Sequence, residues 1–252
     1  MRAWWRILAV LIGSAFAPAA SAETATIAVA ANFAEVAEHL ADDVQDATGH
    51  QIRISLGATG ALYAQIVNGA PYHAFLAADQ ARPKRLEAEG RAVAGSRFTY
   101  AVGRLVLWSA DPDLIGPEWR AVLESGAFRR LALANAAVAP YGLAASQTLR
   151  ALGLADRLSP KIVLGETVAQ AYAHVATGNA ELGLVALSQI KSRRRRASGS
   201  HWPVPESLHD PVRQDAVLLL RGAENAAAKA FLAHLRGEGA RAVMADLGYG
   251  AD

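Results

Sequence analysis

The sequence predicts an α/β protein of two lobes with mostly parallel sheets, on three observations. Short apolar runs of strand length alternate with amphipathic stretches at helical spacing, as in strand–helix units. The alternation begins near residue 24 and restarts near residue 130 on the same plan, with no repeat in residue identity. A chain of 252 residues without cysteine is long enough to fold on buried apolar surface alone, as one large or two small domains.

The first unit opens with a strand over 24–30. Phe33, Val36, Ala37, Leu40, Val44 and Ala47 then recur at helical spacing until Gly49 stops the helix. A second strand covers 51–56, where Ile52, Ile54 and Leu56 alternate with Arg53 and Ser55, and it feeds a helix over 60–68 that ends at Asn68-Gly69. A buried strand over 74–78 follows, then a helix over 81–89 closed by Gly90. The long run 100–109, with Gly103 inside it, is the expected crossover between lobes. From 130 the plan repeats: strand 130–134, helix 141–152, strand 161–164, helix 167–177 and buried strand 182–187, with Gly153 and Gly178 after the two helices. A return strand over 214–220 and helices over 225–236 and 238–247 close the chain.

This pattern divides the chain into a first lobe of 23–103 and 215–252 and a second lobe of 104–214, joined by two crossover segments. The C-terminal helices then pack back on the first lobe. A cleft between such lobes is the natural ligand site, and Gly103 stands where a hinge could bend.

Residues 1–22 have the three parts of a cleaved export signal: Arg2 and Arg6 at the start, an apolar run over 7–16, and the small residues Ala20-Ser21-Ala22 at the cleavage site. Gly13 and Ser14 interrupt the apolar run, which falls short of the roughly 20 residues a spanning helix needs. The mature chain is expected outside the cytoplasm, in the periplasm, as a monomer that is not embedded in a membrane. The whole chain has 25 basic and 23 acidic residues, and loss of Arg2 and Arg6 makes the two counts equal. A chain with no excess positive charge has no field for non-specific nucleic-acid binding. The absence of cysteine excludes disulfides, thiolate catalysis and thiolate metal sites.

Chemistry is concentrated where strands feed helices, because a helix N-terminus offers unpaired N–H groups and a partial positive charge. Four such junctions stand out: Ala30-Ala31-Asn32, Gly57-Ala58-Thr59-Gly60, Val138-Ala139-Pro140-Tyr141-Gly142 and Gly165-Glu166-Thr167-Val168. Asn32 and Thr59 are also ordinary helix caps, and Pro140-Tyr141 is an ordinary helix start with a surface aromatic. Two junctions fall in each lobe, so closure can bring all four around one small anion. The donors would be neutral: the hydroxyls of Thr59 and Tyr141, the amide of Asn32, and backbone N–H groups near Asn32, Thr59 and Val168. No lysine or arginine lies in any junction. Fixed donors suit an acceptor-only oxyanion and leave a protonated anion's own hydrogen without a receiver.

In these and further motifs the mature chain resembles the periplasmic molybdate-binding proteins of bacterial ABC transporters. Ala30-Ala31-Asn32-Phe33 and Gly57-Ala58-Thr59-Gly60 look like the first two ligand loops. Tyr63-Ala64-Gln65-Ile66-Val67-Asn68-Gly69-Ala70-Pro71, Ala77-Ala78-Asp79, and Gly95-Ser96-Arg97-Phe98-Thr99-Tyr100-Ala101 followed by Leu105-Val106-Leu107-Trp108 continue the likeness in order. The resemblance implies a type II periplasmic-binding-protein fold with a ligand cleft between its two lobes. It implies reversible capture of molybdate or tungstate as a transported ligand, no cofactor, and delivery to an inner-membrane ABC permease with its ATPase. The implied oxyanion contacts are Asn32, Thr59, Tyr141 and Val168, with Ala31 and Ala58 as backbone contacts and no direct coordination of the metal. Many relatives have serine where Asn32 stands and a second tyrosine where Ala186 stands, and the familiar Ala-Pro-Ala-Asp stretch is here Ala70-Pro71-Tyr72-His73.

Other readings are weaker. Another oxyanion, such as sulfate or phosphate, keeps the binding function and changes the ligand. An enzyme would need a nucleophile or acid/base motif, and the chain has no Gly-x-Ser-x-Gly, no lysine-bearing phosphate loop and no His-Glu-x-x-His. His39, His50, His73, His174, His201, His209 and His234 lack metal-ligand spacing. The Arg193 to Arg196 run reads as a solvated face, with docking to a permease as the alternative, and Trp108 and Trp119 read as packing residues.

Overall fold

The computed structural model describes residues 21–192, 194 and 198–251. The expected export signal at 1–22 lies almost wholly outside the described residues, as does most of the Arg193 to Arg196 run.

The first lobe contains β1 (Thr24–Ala30), α1 (Ala34–Thr48), β2 (Gln51–Gly57), α2 (Thr59–Val67), β3 (Ala74–Leu76), α3 (Ala81–Ala88) and β4 (Phe98–Gly103). The second contains β5 (Leu105–Ser109), α4 (Trp119–Ser125), β6 (Leu131–Ala134), α5 (Pro140–Ala151), α6 (Ala155–Leu158), β7 (Ile162–Gly165), α7 (Val168–Ala176), β8 (Leu182–Ala186), α8 (Leu187–Ile190) and β9 (Ser200–Pro203). The chain then returns through β10 (Val212–Leu218) to α9 (Ala226–Leu235) and α10 (Glu238–Asp246).

Among the described residues the strands form two five-stranded sheets, in the orders β2-β1-β3-β10-β4 and β7-β6-β8-β5-β9. These sheets are mixed, where mostly parallel ones were expected. β1 runs parallel to β2 and β3, and β6 runs parallel to β7 and β8. β10 is antiparallel to β3 and β4, and β5 is antiparallel to β8 and β9. The cause is the crossover: a strand that enters from the other lobe runs against those built from local strand–helix units. The run 100–109 is accordingly two strands, broken at Arg104 and assigned to different sheets. The return strand starts at Val212, opposite Gly103, two residues before the expected start, so the expected division between 214 and 215 falls inside β10.

Alternation along β1 sets the core. Ile27 and Val29 face a cluster with Phe33, Leu40, Phe231 and Leu232 from the flanking helices, while Ala28 faces Leu62, Phe75 and Leu86 on the other side. The helices α9 and α10 therefore close one face of the first sheet, as their amphipathic spacing requires. Phe231 and Leu40 are fully buried, which contributes roughly 1.5–3 kcal/mol each. The second lobe is built around Leu105, Leu107, Leu131, Leu133 and Leu184, with Trp108 stacked on Tyr172 at 4.6 Å between ring centroids. Trp108 is thus a packing residue. His73 is also structural, since its Nδ1 accepts the Thr26 N–H at 3.0 Å. Among the described residues no helix is long and apolar enough to cross a membrane.

Candidate functional site

Register brings the junctions together in pairs. Ala30 lies opposite Gly57 at the ends of β1 and β2, and Ala134 lies opposite Gly165 at the ends of β6 and β7. Parallel neighbours end on the same edge, so each lobe presents two helix starts side by side. Ala31, Asn32, Ala58 and Thr59 from one lobe, with Tyr141 and Val168 from the other, line one small cleft. None of its lining residues bears a formal charge. Larger hollows exist, such as the one walled by Arg129, Arg130, Pro160, Gly178 and Asn179, but that hollow is formed by one lobe alone and gathers no helix starts.

Thr59 is 1% exposed and opens α2. Its hydroxyl does not cap that helix; it accepts the Ala78 N–H at 3.0 Å. A hydroxyl that accepts one hydrogen bond still has its own proton to donate. Asn32 sits in a short turn over Ala31–Phe33 and does not cap it either. Its Nδ2 donates to Gln214 Oε1 at 2.9 Å and to Tyr249 Oη at 3.3 Å, and its backbone carbonyl accepts from Tyr249 Oη at 2.7 Å and Ser188 Oγ at 3.2 Å.

Tyr141 follows Pro140 at the start of α5 and is buried, where a surface aromatic was the ordinary reading. Its hydroxyl oxygen reaches Gly103 between the lobes and has no hydrogen-bond partner. Burial pushes this phenol well above its ordinary pKa, with Tyr249 adding to the rise. The nearby Gln214 amide pulls the other way, though the two groups stand outside hydrogen-bond geometry. Val168 opens α7 behind Thr167, whose hydroxyl accepts the Gln170 N–H at 3.1 Å. The first turns of α2, α5 and α7 all open on this cleft. Gly60 N–H is taken by Val138 O, Gln170 N–H by Thr167, and Pro140 has none, which leaves the N–H groups of Thr59, Tyr141 and Val168 without an intrahelical acceptor. Among the described residues no group of three or more His, Cys, Asp or Glu side chains is arranged to hold a metal ion.

The lobes touch across this cleft. Gly60 N–H donates to Val138 O at 2.8 Å, Arg82 Nη2 reaches Ala137 O at 3.4 Å, and Ser188 Oγ reaches Asn32 O. A family model described as bacterial extracellular solute-binding protein matches residues 25–250. The chain belongs to this family.

Two relatives of this solute-binding protein are similar over nearly its whole length. The molybdate-binding protein of Azotobacter vinelandii is 49% identical over 245 residues, covering 97% of this chain and 97% of the relative. That of Rhodobacter capsulatus is 45% identical over 249 residues, covering 99% of this chain and 96% of the relative. Among solved structures, the A. vinelandii periplasmic molybdate-binding protein matches with a TM-score of 0.86 at 43% identity, over 90% of this chain and 99% of that one. The fold is that of the periplasmic binding proteins, two α/β lobes around a cleft.

Sequence reasoning did not find three residues of the solute-binding protein's cleft floor. Gln214 and Tyr249 bond to Asn32 from more than 180 positions away, and Tyr100 shares Gln214 Oε1 at 3.1 Å. The one available signal is Gln214, with Asp215 beside it, at the start of an apolar strand run, residue types that must find partners when buried.

Proposed function

We propose that this protein is the periplasmic solute-binding subunit of an ABC importer and captures molybdate, or its near twin tungstate, between its lobes. The observation that carries the reading is the convergence of helix starts and the Thr59 hydroxyl on an uncharged cleft. A tetrahedral dianion offers acceptors only, and helix-end N–H groups with a hydroxyl supply donors only. The two relatives named above as molybdate-binding proteins are similar over nearly the whole chain.

In this reading the hydroxyl of Thr59, the amide of Asn32 and backbone N–H groups near Ala31, Ala58, Tyr141 and Val168 hold the anion, with no protein atom bound to the metal itself. The buried place of the Tyr141 hydroxyl, against Gly103, favours its backbone N–H as the contact. The anion is cargo, not a cofactor, and the protein performs no catalysis. A lobe of 23–103 with the return strand from Val212 onward, and a lobe between them, close on the ligand and present it to a membrane permease and its ATPase. Export by a cleaved signal over 1–22 puts a monomeric mature chain in the periplasm.

Calorimetry of the mature protein with molybdate, tungstate, sulfate and phosphate tests the assignment. Saturable heat with the two metal oxyanions is expected; heat from sulfate alone would sink it.

A further inference from the structure

Gln214, in β10, is fully buried, and its polar atoms are used unevenly. Its Oε1 accepts from Asn32 Nδ2 at 2.9 Å and from the Tyr100 hydroxyl at 3.1 Å, while its Nε2 has no partner. Tyr141 Oη has none either. Both orphans border the same point, since a Cβ placed on Gly103 would lie 2.7 Å from Nε2 and 2.1 Å from Oη. Only glycine at 103 leaves room for the two groups to approach. Two further features belong to this arrangement. The Tyr100 hydroxyl, with one proton, is in donating range of both Ala77 O, at 3.1 Å, and Gln214 Oε1. Asn32, by turning its nitrogen inward, presents its amide oxygen on the other side, the wrong sign for an anion.

One change relieves these conflicts, at the cost of the hydrogen bond from Asn32 Nδ2 to Tyr249 Oη: Tyr249 then turns its proton from Asn32 O to Asn32 Oδ1, and Ser188 Oγ keeps Asn32 O. A carboxamide turned by half a rotation exchanges its oxygen and nitrogen with almost no displacement of heavy atoms. With both amides turned, Gln214 Oε1 accepts the Tyr141 proton, and Nε2 donates to Asn32 Oδ1 and to Tyr100 Oη. Tyr100 keeps its proton for Ala77 O, and Asn32 Nδ2 is left facing the cleft. Neither amide can turn alone without setting nitrogen against nitrogen or oxygen against oxygen.

We propose that Gln214 is a positioning residue whose amide turns together with that of Asn32 when the oxyanion enters, so that Tyr141 in one lobe sets the donor that Asn32 presents from the other. This rests on the reading of the cleft as an oxyanion site. Burial keeps the Tyr141 phenol protonated, so its proton is available to hold Gln214. The arrangement also accounts for a hydroxyl that lies buried without a partner.

A molybdate titration of four proteins tests it: wild type, Gln214→Glu, Asn32→Ala and the double variant. Glutamate fills the same space but cannot donate to Asn32 Oδ1, so affinity is expected to fall roughly tenfold or more in the wild-type background. With Asn32→Ala in place the same change is expected to cost less than about twofold. Equal losses in both backgrounds, or a folded Gln214→Glu that binds like wild type, would overturn the proposal. Should the buried glutamate prevent folding, Gln214→Met replaces it in the same cycle. A second readout needs no change at Gln214. In protein labelled with nitrogen-15 in asparagine and glutamine side chains, molybdate is expected to shift one buried glutamine amide pair in wild type and not in Tyr141→Phe. A glutamine spectrum unaltered by molybdate contradicts the coupled turn. A wild-type protein that gives no molybdate heat at all removes the oxyanion reading and this proposal with it, an outcome distinct from the other two.

Discussion

The backbone N–H of Gly60 donates to the carbonyl of Val138 at 2.8 Å, joining the second loop of one lobe to the third loop of the other. This bond sits at the rim of the cleft and exists only when the lobes are together. A Cβ on Gly60 would lie 3.0 Å from Val138 Cα, 3.1 Å from Val138 O and 3.0 Å from Arg82 Nη2. A side chain at this position, in the first turn of α2, would press on the backbone of the other lobe.

Gly60→Ala separates two effects. Alanine is the better helix former by about 0.8–1.0 kcal/mol, so thermal stability without ligand is expected to stay level or rise. Molybdate affinity is expected to fall, because the methyl group wedges the rims apart. X-ray scattering with saturating ligand checks this: the variant should keep a larger radius of gyration than wild type. A lower melting temperature with full closure would refute the argument.

Thr59→Ala and Thr59→Ser make a pair. Alanine leaves the Ala78 N–H buried without its acceptor, costing about 1–3 kcal/mol of stability, and also removes a donor to a charged ligand, worth about 1.5–3 kcal/mol of affinity. Serine retains both functions. Chemical unfolding and titration of the two variants should show losses in both measurements for alanine and near wild-type values for serine.

The sequence made the cleft legible because its donors are local. A strand end followed by Asn32, Thr59, Pro140-Tyr141 or Val168 is visible within five residues, and parallel pairing does the rest. The floor was hidden for the opposite reason. Gln214, Tyr100 and Tyr249 meet Asn32 only after β10 and the C-terminal segment return to the first sheet, and residue spacing holds no record of that return. The mixed sheets were missed on similar grounds, since β10 and β5 each enter their sheet from the other lobe and pair antiparallel there. The motif Gly95 to Ala101, read only as a likeness, gains a physical reason from the fold. Arg97 and Thr99 hold the fully buried carboxylate of Asp215, the neighbour of Gln214.

That carboxylate gives a third prediction. Asp215 accepts from Arg97, from Thr99 Oγ1 at 2.8 Å and from Gln80 Nε2 at 3.2 Å. Arg97→Met removes the opposite charge and leaves a buried anion on two neutral donors. The expected loss is about 3 kcal/mol, the low end for breaking a buried pair because those donors remain. Urea unfolding should record it, and Asp215→Asn added to Arg97→Met should restore part of it. A loss below 1 kcal/mol would mean that the pair is effectively solvated.

Alkaline pH should unfold the protein through its buried tyrosines. Burial pushes Tyr249 up to about 12, against the pull of its bonds with Ser188 and Asn32, and it raises Tyr100 and Tyr141 well above the ordinary value. The unfolded chain loses these protons near pH 10 and the native chain above that, so the native state holds more protons in between. Stability is then full below pH 10 and falls as pH rises toward 12, by up to about 1.4 kcal/mol per pH unit for each such tyrosine. Melting curves between pH 8 and 12 check the sign, and Tyr249→Phe should make the alkaline decline shallower.

Tyr141→Phe gives the sharpest separation between folding and binding. In the structure the hydroxyl has no partner, so its loss breaks no hydrogen bond and relieves a buried polar group; stability without ligand should be unchanged or slightly higher. In the coupled arrangement proposed above that hydroxyl holds Gln214, and its loss should weaken binding by about 0.5–1.5 kcal/mol, the worth of a neutral hydrogen bond. A direct contact to the dianion would cost more, about 1.5–3 kcal/mol, as expected for Thr59→Ala. Thermal unfolding with and without molybdate distinguishes the cases. The variant should match wild type without ligand and show a smaller upward shift with it, and a shift reduced as far as that of Thr59→Ala would place the hydroxyl on the anion itself.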